Sequence, residues 1–175
     1  MSKFLHTLAI SIAFLITFSS TSAFQMPDID LPEGFSIKVL TDQVPGARSM
    51  ALGDKGTLFV STRRAGKVYA VSGIYSEPEV LTIASGLYMP NGVAFKDGNL
   101  YVAEIHRVHK FEDIENRLNA PKSSIINKSY PTDRHHGWRY ITFGPDGKLY
   151  IPIGAPCNIC DEPDYGVITR IDTDG

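Results

Sequence analysis

The densest group of chemically capable side chains is the segment Asp133-Arg-His-His-Gly-Trp-Arg139. Two adjacent histidines, two arginines, a carboxylate and the chain's only tryptophan fall together there. Histidine titrates near neutral pH and can accept a proton from a hydroxyl group. Asp133 could orient such an imidazole, and Arg139 could stabilise negative charge that develops on a reacting oxygen. The segment could equally be a surface turn whose polar groups satisfy loop backbone, so the residues alone leave both interpretations open.

The only two cysteines, Cys157 and Cys160, follow this segment. In an exported protein such a pair most often forms a short-loop disulfide. Two thiols supply too few soft ligands for a zinc site, and Asp161 stands where haem attachment would require a histidine. The Pro- and Gly-rich surroundings lack the strand–helix context of a thioredoxin-like redox motif. We therefore predict a disulfide that pins a loop.

A second pair of histidines, His106 and His109, flanks Arg107 in the predicted strand 105–110. Their spacing puts the two side chains on opposite faces of a strand, so they cannot jointly hold a metal ion. We expect both to be half-exposed strand residues.

Three copies of one short repeat must position these residues: an apolar run, a Gly/Asp turn, then Leu–aromatic–β-branched. The copies are 50–60, 93–102 and 141–151. Their turn glycines, Gly56, Gly98 and Gly147, lie 42 and 49 residues apart. A period of about 40–50 residues, built from short strands and tight turns, is typical of propeller blades. The sequence therefore predicts an all-β, six-bladed β-propeller of which about three blades are present.

Shorter patterns predict the other elements. Residues 35–40 alternate apolar and polar side chains as a strand does. Strand-like runs at 79–84 and 124–126 would supply a fourth strand to each blade, and 112–118 is the one helical candidate. The predicted core consists of apolar hairpin residues: Leu58, Val60, Val68, Val93, Phe95, Leu100, Val102, Ile141, Phe143, Leu149 and Ile151.

The first 23 residues are predicted to be a cleaved signal peptide. Lys3 precedes an uncharged run from Thr7 to Phe18, and Thr21-Ser-Ala23 supplies the small residues that a signal peptidase reads. The apolar run is shorter than the roughly 20 residues needed to cross a bilayer. We therefore expect a secreted or periplasmic protein without a membrane span.

Residues 24–175 are predicted to be the first half of a propeller domain. A six-bladed ring at this period would need roughly 250–300 residues, so we expect an open, truncated ring. The formal net charge of −2 gives no reason to expect nucleic acid as a partner.

Five segments carry a family resemblance: 44–53, 89–95, 135–141, 144–150 and 154–160. They are similar to the sorbosone/glucose dehydrogenase family, exported six-bladed propellers that use pyrroloquinoline quinone (PQQ). The resemblance covers roughly residues 31 to 175. It is most specific in the His-His-Gly-Trp-Arg and Gly-Ala-Pro-Cys-x-x-Cys segments.

This resemblance implies oxidation of an aldose or related sugar by hydride transfer to the quinone, with an external electron acceptor. A histidine base would take the hydroxyl proton. Counting back from Gly144 without a gap places the base at His136, which we favour, whereas anchoring on Arg139 places it at His135. Asn91 lies where the family has a polar side chain facing the cofactor pocket, although a plain turn residue would also fit there.

The resemblance further implies a calcium ion that bridges to PQQ. In the family, the residues that hold this ion and the cofactor's carboxylates come mostly from later blades. We therefore expect the 175-residue chain by itself to be inactive.

Two other functions stay open. Residues 90–95 and 100–104 also resemble calcium-dependent lactonase propellers related to gluconolactonase, in which an Asn contacts the metal and water attacks an ester. Only Asn91 is a ready ligand for that chemistry, whereas the paired histidines favour the dehydrogenase. The third interpretation is a non-catalytic propeller that binds a protein or a glycan on its face.

Overall fold

The computed structural model describes residues 27–173, and the predicted signal peptide of residues 1–23 lies outside that range. The chain divides into two compact units, residues 1–36 and 37–175. The described part of the first unit is an exposed, irregular segment in which the Phe35 N–H donates to the Pro32 carbonyl at 3.1 Å. All the strands of the described residues lie in the second unit.

These strands form three antiparallel sheets. The first contains β1 (Ala47–Leu52), β2 (Leu58–Thr62), β3 (Val68–Ser72) and β4 (Glu79–Ala84). The second contains β5 (Gly92–Lys96), β6 (Asn99–Ala103), β7 (Val108–Glu112) and β8 (Lys122–Asn127). The third contains β9 (Thr142–Phe143), β10 (Leu149–Ile153) and β11 (Val167–Ile171). Each sheet is a meander, and the first strands contact one another, β1 with β5 and β5 with β9. This is the arrangement of propeller blades.

The second sheet is buried on both faces, so its side chains alternate between two cores. Leu100 and Val102 join the core shared with the first sheet, which includes Phe59. Tyr101, between them in sequence, joins the core shared with the third sheet, which includes Leu149. The three sheets therefore stack face to face.

The predicted hairpin turns depend on residues that tolerate positive φ. Asp97 and Gly98, with φ of 50° and 75°, form the two-residue turn between β5 and β6. Such turns require positive φ at both central positions, which explains the Asp-Gly pair. In the first and third repeats, Gly56 and Gly147 have φ of 82° and 77° at the corresponding places.

The minor elements are confirmed in part. The runs at 79–84 and 124–126 are β4 and the middle of β8. The helix predicted at 112–118 is only one 3₁₀ turn, Ile114–Asn116, whose single buried side chain is Ile114. No helix within residues 27–173 is long and apolar enough to cross a membrane.

The strand predicted at 35–40 is wrong. Those residues have no strand assignment, and the apolar side chains of Phe35, Ile37 and Val39 stay exposed. An alternating pattern produces a strand only where a partner strand and a surface to pack against exist.

The predicted core is largely confirmed. All its members are buried except Leu58, Phe95 and Phe143, which are half-buried at or near the ends of their strands. The prediction omits Phe59 and Tyr101, which are 0% and 2% exposed. Both lie on inner strands in which four consecutive residues are buried, so alternation no longer marks an exposed side.

Leu100→Ala should lower the free energy of unfolding of the 175-residue chain by about 2–5 kcal/mol, because it leaves a cavity at a fully buried position. Ile125→Ala is the matched control. Its side chain is 48% exposed on the edge strand β8, so the change should stay within about 0.5 kcal/mol. Urea unfolding measures both values, and equal effects would contradict a buried centre in the second sheet.

Candidate functional site

The candidate catalytic and binding residues predicted from the sequence all lie at one edge of the three sheets. In an antiparallel meander, alternate connections emerge at the same edge. We call the segments at this edge the loop face: residues 41–46, 63–67, 85–91, 104–107, 128–141 and 154–166. The loop face brings both predicted histidines, Asp133, Arg139, Asn91 and the cysteines to one side of the sheets.

His136 is held by the loop that follows β10. Its Nδ1 lies 3.0 Å from the carbonyl oxygen of Ala155. Because a carbonyl can only accept a hydrogen bond, Nδ1 carries the proton and Nε2 of the neutral ring keeps a free lone pair. His135 stacks on His136 with ring centroids 4.0 Å apart, and its own side chain is exposed. The geometry thus fixes the tautomer of His136.

The backbone around His136 is tightly enclosed. His136 has a φ of 54°, in the left-handed region that residues with a Cβ seldom adopt. A Cβ on Gly154 would lie 2.5 Å from the His136 carbonyl oxygen, so only glycine allows the two segments to approach. Cys157 and Cys160 are joined by a disulfide within the same loop. The loop that supplies the Ala155 carbonyl is therefore constrained on both sides of that residue, at Gly154 and by the disulfide.

Arg139 is 1% exposed and its guanidinium is committed to the backbone. It donates to the carbonyl oxygens of Ile105 at 2.5 Å, Pro152 at 3.0 Å and Pro131 at 3.1 Å. The guanidinium carbon also lies 4.9 Å from the centroid of the Tyr130 ring. Burial lowers the pKa of Arg139 from its usual value. The geometry gives Arg139 a structural position rather than the predicted contact with a reacting oxygen.

Asp133 forms no hydrogen bond with either histidine among the described residues. Its carboxylate accepts a hydrogen bond from the Tyr165 hydroxyl at 2.5 Å. That hydrogen bond is the main cause of the raised pKa of Tyr165. The imidazole of His136 is oriented by the Ala155 carbonyl, so the role predicted for Asp133 is filled by backbone.

Asn91 is 7% exposed and ties the three sheets together. Its Oδ1 accepts from Nε of Arg48 at 3.3 Å, and its Nδ2 donates to the Arg139 carbonyl at 3.2 Å. Its own carbonyl accepts from the Ser61 hydroxyl at 2.6 Å. Both side-chain polar atoms therefore have partners in the protein, and the amide predicted to face a cofactor is internal.

Trp138 bridges the loop face from the third sheet to the first. The guanidinium carbon of Arg63, in the β2–β3 loop, lies 3.9 Å from the centroid of the Trp138 ring. Nε1 of Trp138 is buried and has no hydrogen-bond partner among the described residues. Arg63 and Trp138 therefore form a cation–π pair.

A buried charged cluster in the β6–β7 loop is the main feature that sequence reasoning misses. Glu104 is 0% exposed and accepts hydrogen bonds from the Arg107 guanidinium and, at 2.6 Å, from the Tyr88 N–H. Nε2 of His109 lies 3.4 Å from this carboxylate without hydrogen-bond geometry. Burial alone would raise the pKa of Glu104, but the bonds from Arg107 and Tyr88 outweigh it and lower the pKa.

The expectation that His106 and His109 are half-exposed strand residues is wrong in two respects. His106 precedes β7 and belongs to the loop, whereas His109 is only 8% exposed. Burial lowers the pKa of His109 below its usual range. One feature of the sequence could have indicated this buried cluster. Glu104 is an acid directly after an apolar strand, and Arg107 and His109 follow it closely.

The described residues contain no cluster of acidic and imidazole or thiolate side chains of the kind that holds a metal ion. Within residues 27–173, no group of three or more His, Cys, Asp or Glu side chains could hold a metal.

No family model matches the sequence. The structure is similar to the PQQ-bound aldose sugar dehydrogenase of Streptomyces coelicolor, with a TM-score of 0.62 and 18% identity over 79% of this chain and 48% of that one. It is also similar to the PQQ domain of Coprinopsis cinerea pyranose dehydrogenase, with a TM-score of 0.58 and 11% identity over 69% and 30% of the two chains. A family AA12 carbohydrate-active enzyme of Trichoderma reesei gives a TM-score of 0.56 and 18% identity over 69% and 33%.

The similarity extends to sequence at a low level. The chain is 22% identical over 165 residues to an uncharacterized protein of Borreliella burgdorferi, a match that covers 86% of this chain and 42% of that protein. The chain spans less than half the length of each of these proteins. The similarity to solved structures shows a shared fold, and the prediction of an all-β, partial β-propeller with about three blades is confirmed.

Arg139→Lys should lower the free energy of unfolding by about 2–4 kcal/mol. A lysine ammonium cannot donate to three carbonyls in the planar geometry of a guanidinium, so buried acceptors lose their partners. Arg134→Lys changes an exposed arginine of the same segment and should stay within about 0.5 kcal/mol. Urea unfolding of both variants tests the assignment, which fails if the two losses are alike.

Stability should fall as the pH drops below about 6.5, in part through His109. The unfolded chain protonates His109 near the usual pKa of 6.5, whereas burial keeps the folded pKa lower. The unfolded state therefore binds more protons in that window, so the free energy of unfolding decreases with falling pH. The lowered pKa of Glu104 adds a further loss only below its usual value of 4.5.

His109→Gln should flatten the pH dependence just below pH 6.5 in urea unfolding measured at closely spaced pH values. Arg107 and His106 oppose the charged form of His109, and Glu104 favours it, so all three are kept unchanged. A variant with the wild-type slope in this window would assign the proton uptake to another group.

Proposed function

We propose that this chain belongs to a PQQ-dependent dehydrogenase that oxidises a hydroxyl group of an aldose or related sugar, with His136 as the catalytic base. The observation that carries the proposal is the contact between Nδ1 of His136 and the Ala155 carbonyl at 3.0 Å. It leaves Nε2 of the neutral imidazole able to accept a proton. The similarity in fold to PQQ-bound sugar dehydrogenases supports the same assignment.

Oxidation of a sugar hydroxyl removes a proton from oxygen and a hydride from the attached carbon. Nε2 of His136 accepts the proton, and the Nδ1–H bond to the Ala155 carbonyl stabilises the imidazolium that results. PQQ, when bound, supplies the quinone that is reduced by the hydride. An external acceptor then takes the electrons. His135 stacks on His136, and no hydrogen bond among the described residues fixes its tautomer, so we do not assign it as the base.

The loop face fits a planar, anionic quinone in its charge and its surfaces. Arg63 and Trp138 would hold such a group, because they offer a cation and an aromatic plane at the same place. The buried Nε1 of Trp138 has no partner among residues 27–173, which agrees with a site that is completed by another group. Asn91 contributes indirectly, because its Oδ1 accepts a hydrogen bond from Arg48 and so positions that guanidinium.

The lactonase alternative is less well supported. It needs the Oδ1 of Asn91 as a metal ligand, but this atom accepts a hydrogen bond from the Arg48 guanidinium. The positive charge of Arg48 beside this oxygen repels a metal cation. Nothing on the loop face specifically favours a non-catalytic binding module over the dehydrogenase.

Export to an oxidising compartment is part of the proposal. The disulfide between Cys157 and Cys160 supports it, because such bonds persist in secreted and periplasmic proteins and are rare in the cytosol. We accordingly retain a secreted or periplasmic location for residues 24–175.

The test compares His136→Gln with His135→Gln in the product of the whole reading frame that contains these residues, refolded with PQQ and Ca²⁺. Aldose-driven dye reduction should fall about 10²–10⁴-fold in His136→Gln, because the proton acceptor is lost. The His135→Gln variant should change turnover only a few-fold, since its ring is stacked and exposed. PQQ binding is measured in parallel to separate loss of chemistry from loss of cofactor.

Three outcomes would change the assignment. A large loss in His135→Gln alone would move the base to that residue. Wild-type turnover in both variants would reject a histidine base in this segment. Hydrolysis of lactones without quinone would replace the dehydrogenase by the lactonase.

A further inference from the structure

A cavity of about 440 Å³ lies at the start of β1 on the loop face. Arg48, Arg63 and Arg64 line it, together with Ala65 and residues 45–47, and its lining contains no acidic residue. Arg48 comes from β1, whereas Arg63 and Arg64 come from the β2–β3 loop. Two separate elements therefore bring three positive charges to one space.

Within residues 27–173, none of these three arginines has a carboxylate within 4.0 Å. Other arginines of the chain do: Arg107 pairs with Glu104, and Arg170 pairs with Asp146. The whole chain has a formal net charge of −2, so this concentration of unpaired positive charge does not follow from composition. Like charges gathered around a cavity favour an anion between them.

Two of the three guanidinium groups are held in place without being neutralised. Nε of Arg48 donates to Oδ1 of Asn91 at 3.3 Å, and the Arg63 guanidinium lies 3.9 Å from the Trp138 ring centroid. The partners are a neutral amide and an aromatic face, so neither guanidinium is paired with a negative charge in the described part of the chain. A guanidinium that is fixed in orientation and keeps free N–H groups is suited to a carboxylate, which it can bind through two parallel hydrogen bonds.

We propose that this cavity binds the carboxylate group of a small anionic ligand on the loop face. Its volume falls within the range of small-molecule sites, about 300–1,000 Å³. Two ligands could supply that group: PQQ, through one of its own carboxylates, or an acidic sugar such as a hexuronate. The anion site stands on the three arginines alone, and only the choice of PQQ as a source rests on the proposed function.

Trp138 provides the readout, because it is the only tryptophan of the chain and lies against Arg63. The intrinsic fluorescence of the wild-type chain is titrated with glucuronate, with glucose and with PQQ. At least one of the two anions should give a saturable change, and glucose should give none. Raising the NaCl concentration should weaken that binding, because exposed charges are screened; this arm needs no variant.

Arg64→Gln is the main variant, since Arg64 is exposed and makes no ion pair among the described residues. It should raise the dissociation constant of the bound anion about tenfold, as expected for loss of a charge-assisted hydrogen bond. Arg117→Gln is the matched control, because Arg117 pairs with Asp113 at the opposite edge of the sheets. Its affinity for the anion should equal that of the wild type.

The arms separate the two sources. Arg64-dependent binding of PQQ without glucuronate assigns the cavity to the cofactor, and the reverse assigns it to an acidic substrate. Equal responses to glucose and glucuronate, no salt dependence, or an unchanged affinity in Arg64→Gln would overturn the anion site. Arg64-dependent binding of glucuronate, together with no sugar oxidation by the product of the whole reading frame refolded with PQQ and Ca²⁺, would reject the proposed function and keep the anion site.

Discussion

The contacts of Arg139 with the backbone fasten the segment that carries the paired histidines and Trp138 to the neighbouring sheets. Residues 128–141 form a long connection between β8 and a two-residue β9, so the sheet alone fixes little of it. One guanidinium binds carbonyl oxygens in this connection, in the β6–β7 loop and in β10. His136 and Trp138 lie within three residues of Arg139, so the same contacts limit where their backbone can lie. The Arg139 carbonyl in turn accepts from Nδ2 of Asn91, which extends the same network to the first sheet.

Because Arg139 is committed to the backbone, any reaction on the loop face would have to use other groups. A guanidinium that donates to three carbonyls in the interior cannot also approach a ligand, and freeing it would leave buried acceptors unpaired. The orienting partner of His136 is likewise a backbone carbonyl rather than the carboxylate of Asp133. A carbonyl fixes the tautomer as well as a carboxylate does, but it adds no charge. The imidazole therefore keeps its proton-accepting atom without an ion pair.

The repeats predict the fold because their period reflects a physical unit. Turn glycines 42 and 49 residues apart mark hairpins that can bury their apolar faces only against neighbouring blades. The site is harder to predict because its contacts join distant residues. Asn91 contacts Arg48 and Arg139 across separations of 43 and 48 residues, and the sequence of neither segment reveals the other. The sequence likewise does not reveal that Arg139 is buried and bonded to the backbone. Nor does it show that His109 lies beside the buried carboxylate of Glu104.

The polar residues of the loop face divide according to whether the protein itself satisfies them. Glu104, Asn91 and Arg139 are buried and have their partners within the chain, so they build the surface and cannot easily take a ligand. Nε2 of His136 and the guanidinium groups of Arg48, Arg63 and Arg64 have hydrogen-bonding capacity that the described residues leave unused. The chain does pair other arginines with carboxylates, as in Arg107 with Glu104 and Arg170 with Asp146, but within the described residues it does not do so for these three. Positive charge that is gathered at one place and left unpaired attracts an anion to that place. The unsatisfied set is therefore where binding and proton transfer are expected.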